Sequence, residues 1–541
     1  MSMARAHSPA ATAAEPLAVA VPRYDLRAGE IHTSVSPRVA RGVVFVFLAM
    51  ILSVPLAQTA IELIRDRRLQ SLDVLSHWPT KQSNHLFEQD LEDASIARSL
   101  FRPRLQSAML RWGGFANTKV ILGRDGWLYY APGLDYVAGR GFLRPDVVDQ
   151  RRAIAARDGE RIWPDPRPAI FTFHRDLAHR GIRLLLVPVA DKAMRPGALG
   201  TRRMQGVTNN PDYPKLIDEL RTAGIDVLDA IPPADGENDC FLRQDTHWTP
   251  QWMAQAARQL ADHILAMNLL PQRPSPTLTV HEQEITALGD LARMLRLPAS
   301  APQLRPQTIK INQVHNARLQ SLWQGSRDAD ILLLCDSFGN VFSDPQLGWG
   351  ESAGLPEHLS RFLARDLDVI ARNDGGAYGT RQALANELGR GKDRLANKKL
   401  VIWQFAMREL SCGDWRPIRL SLGPPRPQCL SAPPSGQEMI ITGQVEQTSA
   451  LPRPGAPYKD HIMAIVVERS ADNGPSADDR FMVYLWSLRD GQRTDASRLR
   501  AGRQVKLRIR NWDDVSWRLD RISRSEVTDT VDVACWGEIV K

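Results

Sequence analysis

Two short segments of this 541-residue chain carry the residue types needed for acyl transfer. They are residues 245–248 (DTHW) and residues 331–339 (ILLLCDSFG). Side chains alternate along an extended segment, so Asp245 and His247 can point to the same side, where the carboxylate holds the imidazole and the other ring nitrogen faces a partner. Ser337 is the candidate partner. Together the segments supply an acid, a base and a nucleophile.

The elements that must position these side chains can be predicted from their neighbours. Four aliphatic residues at 331–334 are typical of a fully buried strand, and the run breaks directly after Ser337. We therefore expect Ser337 at the carboxyl end of a strand, where open α/β sheets bind ligands and where its backbone N–H could stabilise an oxyanion. Thr249 and Pro250 predict an N-cap and a first helical turn directly after the Asp-x-His triplet.

Plainer roles exist for several of these residues. Asp336 and Ser337 also fit a helix-capping pair after a strand. Asp176 and His179 have the Asp-x-x-His spacing of many serine esterases, but they lie in a predicted helix beside arginines, so we predict a solvated helix face. The glycines at 375–376 could lend an oxyanion N–H or simply turn the chain, and the sequence leaves both roles open.

Short apolar strands alternate with helical stretches through the middle of the chain. We predict strands at 183–189, 226–228, 331–335, 367–370 and 400–405, and helices at 169–179, 213–223, 250–266, 356–364 and 379–388. This alternation predicts an α/β domain with a mostly parallel sheet flanked by helices. Beyond a Pro-rich stretch the pattern becomes strand-like, as in 504–510, and predicts a small all-β barrel or sandwich.

The predicted organisation has six parts. They are a disordered tail over 1–41, a transmembrane anchor over 42–64, a helical connector over 65–115, a catalytic domain over 116–412, a Pro-rich linker over 413–435 and a β domain over 436–541. The anchor prediction rests on 42–61, which has no charged residue and is long enough to span a bilayer as a helix; a cleaved signal peptide is the alternative. The net charge of +8 is spread along the chain and no nucleic-acid-reading motif is present, so we predict no nucleic-acid partner.

Five segments together resemble a known family. They are 123–130 (GRDGWLYY), 187–193 (VPVADKA), 245–250 (DTHWTP), 335–338 (CDSF) and 400–410 (LVIWQFAMREL). The set resembles the alginate O-acetyltransferase family, the AlgJ and AlgX proteins with an SGNH-hydrolase-like domain, over roughly residues 116–412 and with Asp-x-His before the serine. This chain departs from the family pattern in having Cys335 and Trp252 where glycine is usual.

The resemblance implies an SGNH-hydrolase-like fold and a set of roles. Ser337 would be the nucleophile, His247 the base and Asp245 its orienter, in a single-pass inner-membrane enzyme whose catalytic domain faces the periplasm. Such an enzyme transfers acetyl groups to hydroxyls of an alginate-like exopolysaccharide. The resemblance also implies a membrane-bound O-acyltransferase partner that brings the acetyl group across the inner membrane.

The residues favour acyl transfer through an acetyl-serine, with no metal or other cofactor. Transferase and acetyl esterase remain alternatives, because the outcome depends on whether a sugar hydroxyl or water reaches the acyl-serine. A second hypothesis is a non-catalytic polysaccharide-binding or scaffold subunit of an exopolysaccharide synthesis complex, with the β domain as its binding module. Five side chains of that domain could then contact sugar, although they fit core and solvated face equally well: Tyr484, Trp486, Arg508, Arg510 and Trp512.

Overall fold

A computed structural model describes most of the chain. The described residues are 36–64, 96–113, 116–157, 159–195, 209–230, 240–298, 300–373, 375–424, 433–452, 459–469, 480–519, 522–527 and 534–540. They belong to two compact units, Met1–Phe101 and Arg102–Lys541. The predicted tail, connector and linker lie partly outside the described residues, and the predicted domain boundaries stay predictions.

The helices and strands of the described residues are as follows. The helices are α1 (Pro37–Ile64), α2 (Ile96–Gly113), α3 (Ala131–Ala138), α4 (Pro145–Arg157), α5 (Arg167–Ala178), α6 (Tyr213–Thr222), α7 (Pro250–Ala266), α8 (Asp290–Met294), α9 (Ser337–Asn340), α10 (Leu355–Leu363), α11 (Gly376–Gly389), α12 (Glu409–Cys412) and α13 (Asp513–Leu519). The strands are β1 (Val120–Leu122), β2 (Leu128–Tyr130), β3 (Arg183–Val189), β4 (Asp226–Val227), β5 (Leu278–Ala287), β6 (Gln307–Asn316), β7 (Ser321–Leu322), β8 (Ile331–Cys335), β9 (Asp368–Ala371), β10 (Leu400–Ala406), β11 (Glu438–Thr448), β12 (His461–Arg469), β13 (Arg480–Arg489), β14 (Gln492–Arg493), β15 (Gln504–Asn511), β16 (Arg524–Ser525) and β17 (Ala534–Ile539).

The predicted membrane anchor over 42–64 is not supported. Helix α1 covers this segment and begins five residues before it, so the helix also contains Arg38 and Arg41. No helix in the described part of the chain combines the length and the apolar composition that a membrane crossing requires.

The prediction of an α/β domain with a parallel sheet is confirmed. Five strands pair in the order β4-β3-β10-β8-β9, and every neighbouring pair is parallel. The central strands β8 and β10 are buried along their whole length, because helices cover a parallel sheet and leave no solvated side to alternate with. Helices α5, α6, α7, α10 and α11 contribute to the same hydrophobic core. The carboxyl ends of β3, β10, β8 and β9 therefore share one edge of the sheet.

An antiparallel hairpin of β5 and β6 was not predicted. It pairs Leu278 with Asn316 and Ala287 with Gln307, and the short helix α8 follows β5 directly. In β6, Ile309 and Ile311 alternate with polar neighbours, which is a strand pattern in the sequence, and both isoleucines are buried in the structure. The hairpin lies in the sequence between the Asp-x-His segment and β8, the strand that leads to Ser337. It places α8 beside the Asp-x-His segment.

The C-terminal residues form the predicted β barrel. Strands pair in the order β13-β17-β15-β11-β12, and an additional pairing of β12 with β13 closes the sheet. The first, second, third, fifth and fourth long strands thus follow one another around the barrel, with the third and fifth parallel. This is the order of the five-stranded OB barrel, a Greek-key fold whose second and third strands form the usual ligand face. Its interior is apolar, with Ile465, Val483 and Leu507 buried at the centre.

Candidate functional site

Ser337 lies where the sequence predicts it, at the carboxyl end of β8. It is the first residue of the short helix α9, and Asp336 is the N-cap, accepting a hydrogen bond of 2.8 Å from the N–H of Phe338. Asp336 also accepts hydrogen bonds from the side chain of Gln404 and the N–H of Ala406 on β10, both at 2.8 Å. The turn that carries the serine is therefore tied to the centre of the sheet, and Ser337 itself is half-buried.

The structure brings Asp245, His247 and Ser337 together in one hydrogen-bonded chain. The His247 Nε2 atom lies 2.9 Å from the Ser337 Oγ, and the Nδ1 atom lies 2.6 Å from Asp245 Oδ1. Trp248 fixes the two segments to each other, because its indole N–H donates to the carbonyl of Phe338 at 3.0 Å. These distances are the ones that a nucleophile, a base and an orienting carboxylate require.

The start of α7, which the sequence predicts, supports the hydrogen-bonded chain of side chains. Thr249 caps α7 by accepting a hydrogen bond of 3.4 Å from the N–H of Trp252, with Pro250 in the first turn. The N–H of His247 also donates to Asp245 Oδ1 at 3.0 Å, so the carboxylate binds both the backbone and the ring of the same residue. Asp245 and His247 are only 1% and 4% exposed. The imidazole is therefore held in one orientation.

Two supporting residues were missed by the sequence analysis. Trp349 donates its indole N–H to Asp245 Oδ2 at 2.8 Å, and the backbone N–H of Asp290 donates to the same oxygen at 2.8 Å. The Asp290 side chain accepts from the N–H of Thr246 at 2.7 Å and from its hydroxyl at 2.5 Å. These contacts join residues between 44 and 104 positions apart in the sequence, and no local motif signals them.

Burial and charge set the protonation of the three ionisable groups. Burial opposes ionisation of Asp245, but the attraction of the His247 ring and the hydrogen bonds from His247, Trp349 and Asp290 outweigh it and hold the pKa of the carboxyl well below its usual range. Burial also opposes protonation of His247, yet the Asp245 carboxylate raises the pKa of the imidazole above its ordinary value. Burial and repulsion by Asp245 raise the pKa of Asp290. Asp245 is therefore held as a carboxylate, and the His247 ring beside it is more basic than a free imidazole.

Two buried basic side chains lie at the same edge of the sheet. Lys192, just after β3, donates from Nζ to the carbonyls of Leu128 at 2.7 Å and Arg243 at 3.2 Å. Burial lowers the pKa of this amine to about 7, against the attraction of Asp245 and other carboxylates. Arg408, just after β10, pairs with Asp191 at 2.9 Å and stacks 5.3 Å from the centre of the Phe338 ring. Both side chains therefore hold neighbouring segments of the chain together around the site.

Within the described ranges, one group of side chains has the spacing of metal ligands, namely Asp245, His247 and Asp290. Their ligand atoms lie within 4.8 Å of one another and are all buried. Each carboxylate oxygen, however, already accepts a hydrogen bond from the indole, ring, hydroxyl or amide groups described above. Because the two carboxylates and the ring nitrogen are already engaged by these groups, the hydrogen bonds favour an orienting role for Asp245 over metal binding.

The other candidate positions do not join this site. His179 is exposed, as predicted for a solvated helix face. The prediction is wrong for Asp176 on α5, whose side chain is only 15% exposed and accepts a hydrogen bond of 2.9 Å from the N–H of Leu420. Gly376 has a φ of +49°, and a side chain there would meet the Glu409 carboxylate at 2.2 Å. The glycine pair is therefore explained by a tight approach of chain segments at the start of α11.

The five candidate sugar contacts of the β domain differ in how far they are buried. Tyr484 and Trp512 are only 1% and 6% exposed and pack in a second apolar cluster outside the barrel, so their interpretation as core is confirmed. Trp486 and Arg510 are half-buried, and Arg508 is exposed.

Comparisons with known proteins agree with the resemblance found in the sequence. A family model described as the SGNH hydrolase-like domain of acetyltransferase AlgX matches residues 120–407, just over half of the 541 residues. The probable alginate O-acetylase AlgJ of Pseudomonas aeruginosa is 25% identical over 305 residues, which cover 54% of this chain and 70% of the relative. AlgJ of Pseudomonas syringae is 28% identical over 192 residues, with 35% of this chain and 44% of the relative covered.

Two solved structures are also similar. The O-acetyltransferase domain of Pseudomonas putida AlgJ is 21% identical, with 54% of this chain and 92% of that chain covered and a TM-score of 0.39. Pseudomonas aeruginosa AlgX is 16% identical, with 73% and 91% covered and a TM-score of 0.35. The assignment rests on the family model, whose matched range contains Asp245, His247 and Ser337. This protein belongs to the AlgJ/AlgX family of SGNH-hydrolase-like acetyltransferases.

Proposed function

We propose that this protein is an O-acetyltransferase that passes acetyl groups through Ser337 to hydroxyls of an exopolysaccharide. The observation that carries the proposal is the hydrogen-bonded chain from Asp245 through His247 to Ser337, at 2.6 Å and 2.9 Å. The relatives named as probable alginate O-acetylases support acetyl transfer to an alginate-like polymer.

In the first step the Ser337 Oγ attacks the carbonyl carbon of an acetyl donor while His247 Nε2 takes the hydroxyl proton. The donor's leaving group then departs with that proton, and an acetyl ester remains on Oγ. The negative carboxylate of Asp245 stabilises the imidazolium that exists between these two events. The raised pKa of His247 suits the ring to accept the proton.

In the second step a sugar hydroxyl attacks the acetyl-serine. His247 takes the hydroxyl proton, the new sugar ester forms, and Ser337 Oγ leaves and recovers the proton from the ring. Each step passes through a tetrahedral oxyanion. As the first residue of α9, Ser337 has a backbone N–H without an intrahelical partner, which is suited to donate to that oxyanion. One such donor contributes about 3 kcal/mol in comparable sites.

The proposal includes partners and a location. A membrane-bound O-acyltransferase would supply the acetyl group, and the protein would act in the periplasm at the inner membrane, within an exopolysaccharide synthesis complex. Co-purification of the full chain with such a partner, and its recovery in the periplasmic or membrane fraction of cells, test this part. Recovery in the cytoplasmic fraction alone would contradict the location.

Acetyl transfer can be tested with the purified chain, a chromogenic acetyl ester and alginate oligosaccharides. We expect acetylated sugar by mass spectrometry with the wild type and none with Ser337→Ala. Chromophore release without acetylated sugar would support an acetyl esterase. Glycan binding that persists in Ser337→Ala, with no acetyl transfer by the wild type, would support the scaffold alternative.

A further inference from the structure

The face of the barrel that OB folds usually present to ligands is not open in this protein. On this face of β12 and β13 lie Ile462, Ala464, Met482 and Tyr484, which are buried together with residues of α13 and of the segment that follows it. The α/β domain also reaches this face, because Arg390 donates to the Met482 sulfur at 2.9 Å. The barrel therefore docks on the α/β domain through its usual ligand face.

A cavity of about 30 Å³ remains at this junction. Its walls come from α11 and the residues that follow it on one side, and from β13, α13 and β16 on the other. Seven ionisable groups besides Tyr484 line it, four of them cationic and three acidic. The lining thus carries one more positive than negative charge.

The three acidic side chains are already paired. Glu387 lies 2.8 Å from Arg394, outside the lining, and 3.3 Å from Arg327. Asp513 lies 3.0 Å from Lys392, and Glu526 lies 2.8 Å from Arg524. Glu526 also accepts a hydrogen bond of 2.7 Å from the Tyr484 hydroxyl. Arg390 is the remaining cation of the lining, and its guanidinium is 3.9 Å from Glu526.

Among the buried donors that line the cavity, a pair on neighbouring turns of the chain has no acceptor among the described residues. They are Arg390 Nε and Asn386 Nδ2. The Arg390 side chain is 8% exposed and Asn386 is 5% exposed. The Asn386 amide oxygen accepts a hydrogen bond of 2.6 Å from Gln382, so only the amide nitrogen of this side chain lacks a partner among the described residues. Buried donors of this kind require a partner, which must be an acceptor.

We propose that this cavity binds a small anion, of the class of chloride or formate, between Arg390 and Asn386. The volume has room for about two water molecules, which is enough for chloride or formate and excludes a sugar. Water would satisfy the two donors but would not neutralise the additional buried guanidinium, whereas an anion does both. Because its walls belong to both domains, the bound anion fastens the barrel to the α/β domain.

Anion-specific stability of the full chain tests this site. Thermal unfolding is measured in sodium chloride, sodium formate and sodium gluconate at equal ionic strength, since gluconate is too large for the cavity. We expect the melting temperature to be roughly 1–3 °C higher in chloride and formate. Arg390→Met and Asn386→Ala should abolish this difference. Arg508→Met, which removes a guanidinium that is 50% exposed on the barrel, should retain it.

Crystals grown in bromide give a direct reading that needs no variant. We expect one anomalous peak within hydrogen-bonding distance of Arg390 Nε and Asn386 Nδ2. Equal melting temperatures in the three salts, or a water molecule without anomalous signal at this position, would overturn the anion site. Neither measurement depends on acetyl transfer, so failure of the proposed function would leave the result interpretable.

Discussion

Replacing Trp349 with phenylalanine tests how strongly the orienting carboxylate depends on its own support. The indole is 1% exposed, and its N–H donates to Asp245 Oδ2 at 2.8 Å. Phenylalanine keeps most of the buried ring and removes this one donor. The control is Trp323→Phe, because Trp323 is 3% exposed and donates to a neutral hydroxyl, that of Ser360, at 2.9 Å.

The expected losses differ because the two acceptors differ in charge. A hydrogen bond to a charged group contributes about 1.5–3 kcal/mol and a neutral one about 0.5–1.5 kcal/mol. Both variants also lose a similar volume of packed ring, so Trp349→Phe should be less stable than the control by about 1–2 kcal/mol. Without this donor Asp245 holds the His247 ring less firmly, and a loss of about 1–2 kcal/mol of transition-state stabilisation from that misorientation corresponds to a roughly 5–30-fold decrease in kcat/KM.

Urea unfolding and initial rates with a chromogenic acetyl ester measure the two effects. We expect Trp323→Phe to lower the free energy of unfolding while leaving kcat/KM within about twofold of wild type. The reasoning would be refuted if both variants lost activity in proportion to their stability, or if Trp349→Phe kept full activity. Either result would mean that the indole serves packing alone.

Three further predictions concern the same edge of the sheet. Ser337→Ala, His247→Ala and the double variant should lose similar amounts of kcat/KM, because the residues act as a unit; additive losses would contradict this. Since His247 must be neutral to accept a proton and its pKa is raised, kcat/KM should increase with pH along a limb centred above 6.5, and a limb below that value would contradict the assignment. Gly339→Ala should destabilise the protein by about 1–3 kcal/mol in urea unfolding, because the new methyl would meet the Cys335 Cβ at 2.6 Å. Gly379→Ala, whose methyl would make ordinary contacts at 3.6 Å, should be nearly neutral; equal losses in both would be the contrary outcome.

Much of the fold follows from local sequence patterns. The predicted strands at 183–189 and 331–335 coincide with β3 and β8, and the predicted helix at 250–266 coincides with α7. These elements have strong local signals, since buried parallel strands are continuously apolar and α7 has both an N-cap and a proline in its first turn. The hairpin was missed although β6 alternates, because its partner strand β5 is largely solvent-exposed and shows little apolar alternation.

Part of the site was also predictable because its residues lie in segments with strong local signals. Asp245 and His247 are two positions apart, and Ser337 follows a strong strand signal, so their chemistry could be inferred before their distances were known. Asp290 and Trp349 reach Asp245 through tertiary contacts alone. A tryptophan is more often core than a hydrogen-bond donor to a buried carboxylate, and only the three-dimensional arrangement distinguishes the two.

The central claim is that Ser337 carries the acetyl group during transfer. Mass spectrometry of the full chain after brief exposure to an activated acetyl ester tests it most directly. We predict an added acetyl group on the peptide that contains Ser337, absent in Ser337→Ala and discharged when oligosaccharide is added. Acetylated oligosaccharide formed without any acetyl group on Ser337, or formed equally well by Ser337→Ala, would contradict the account.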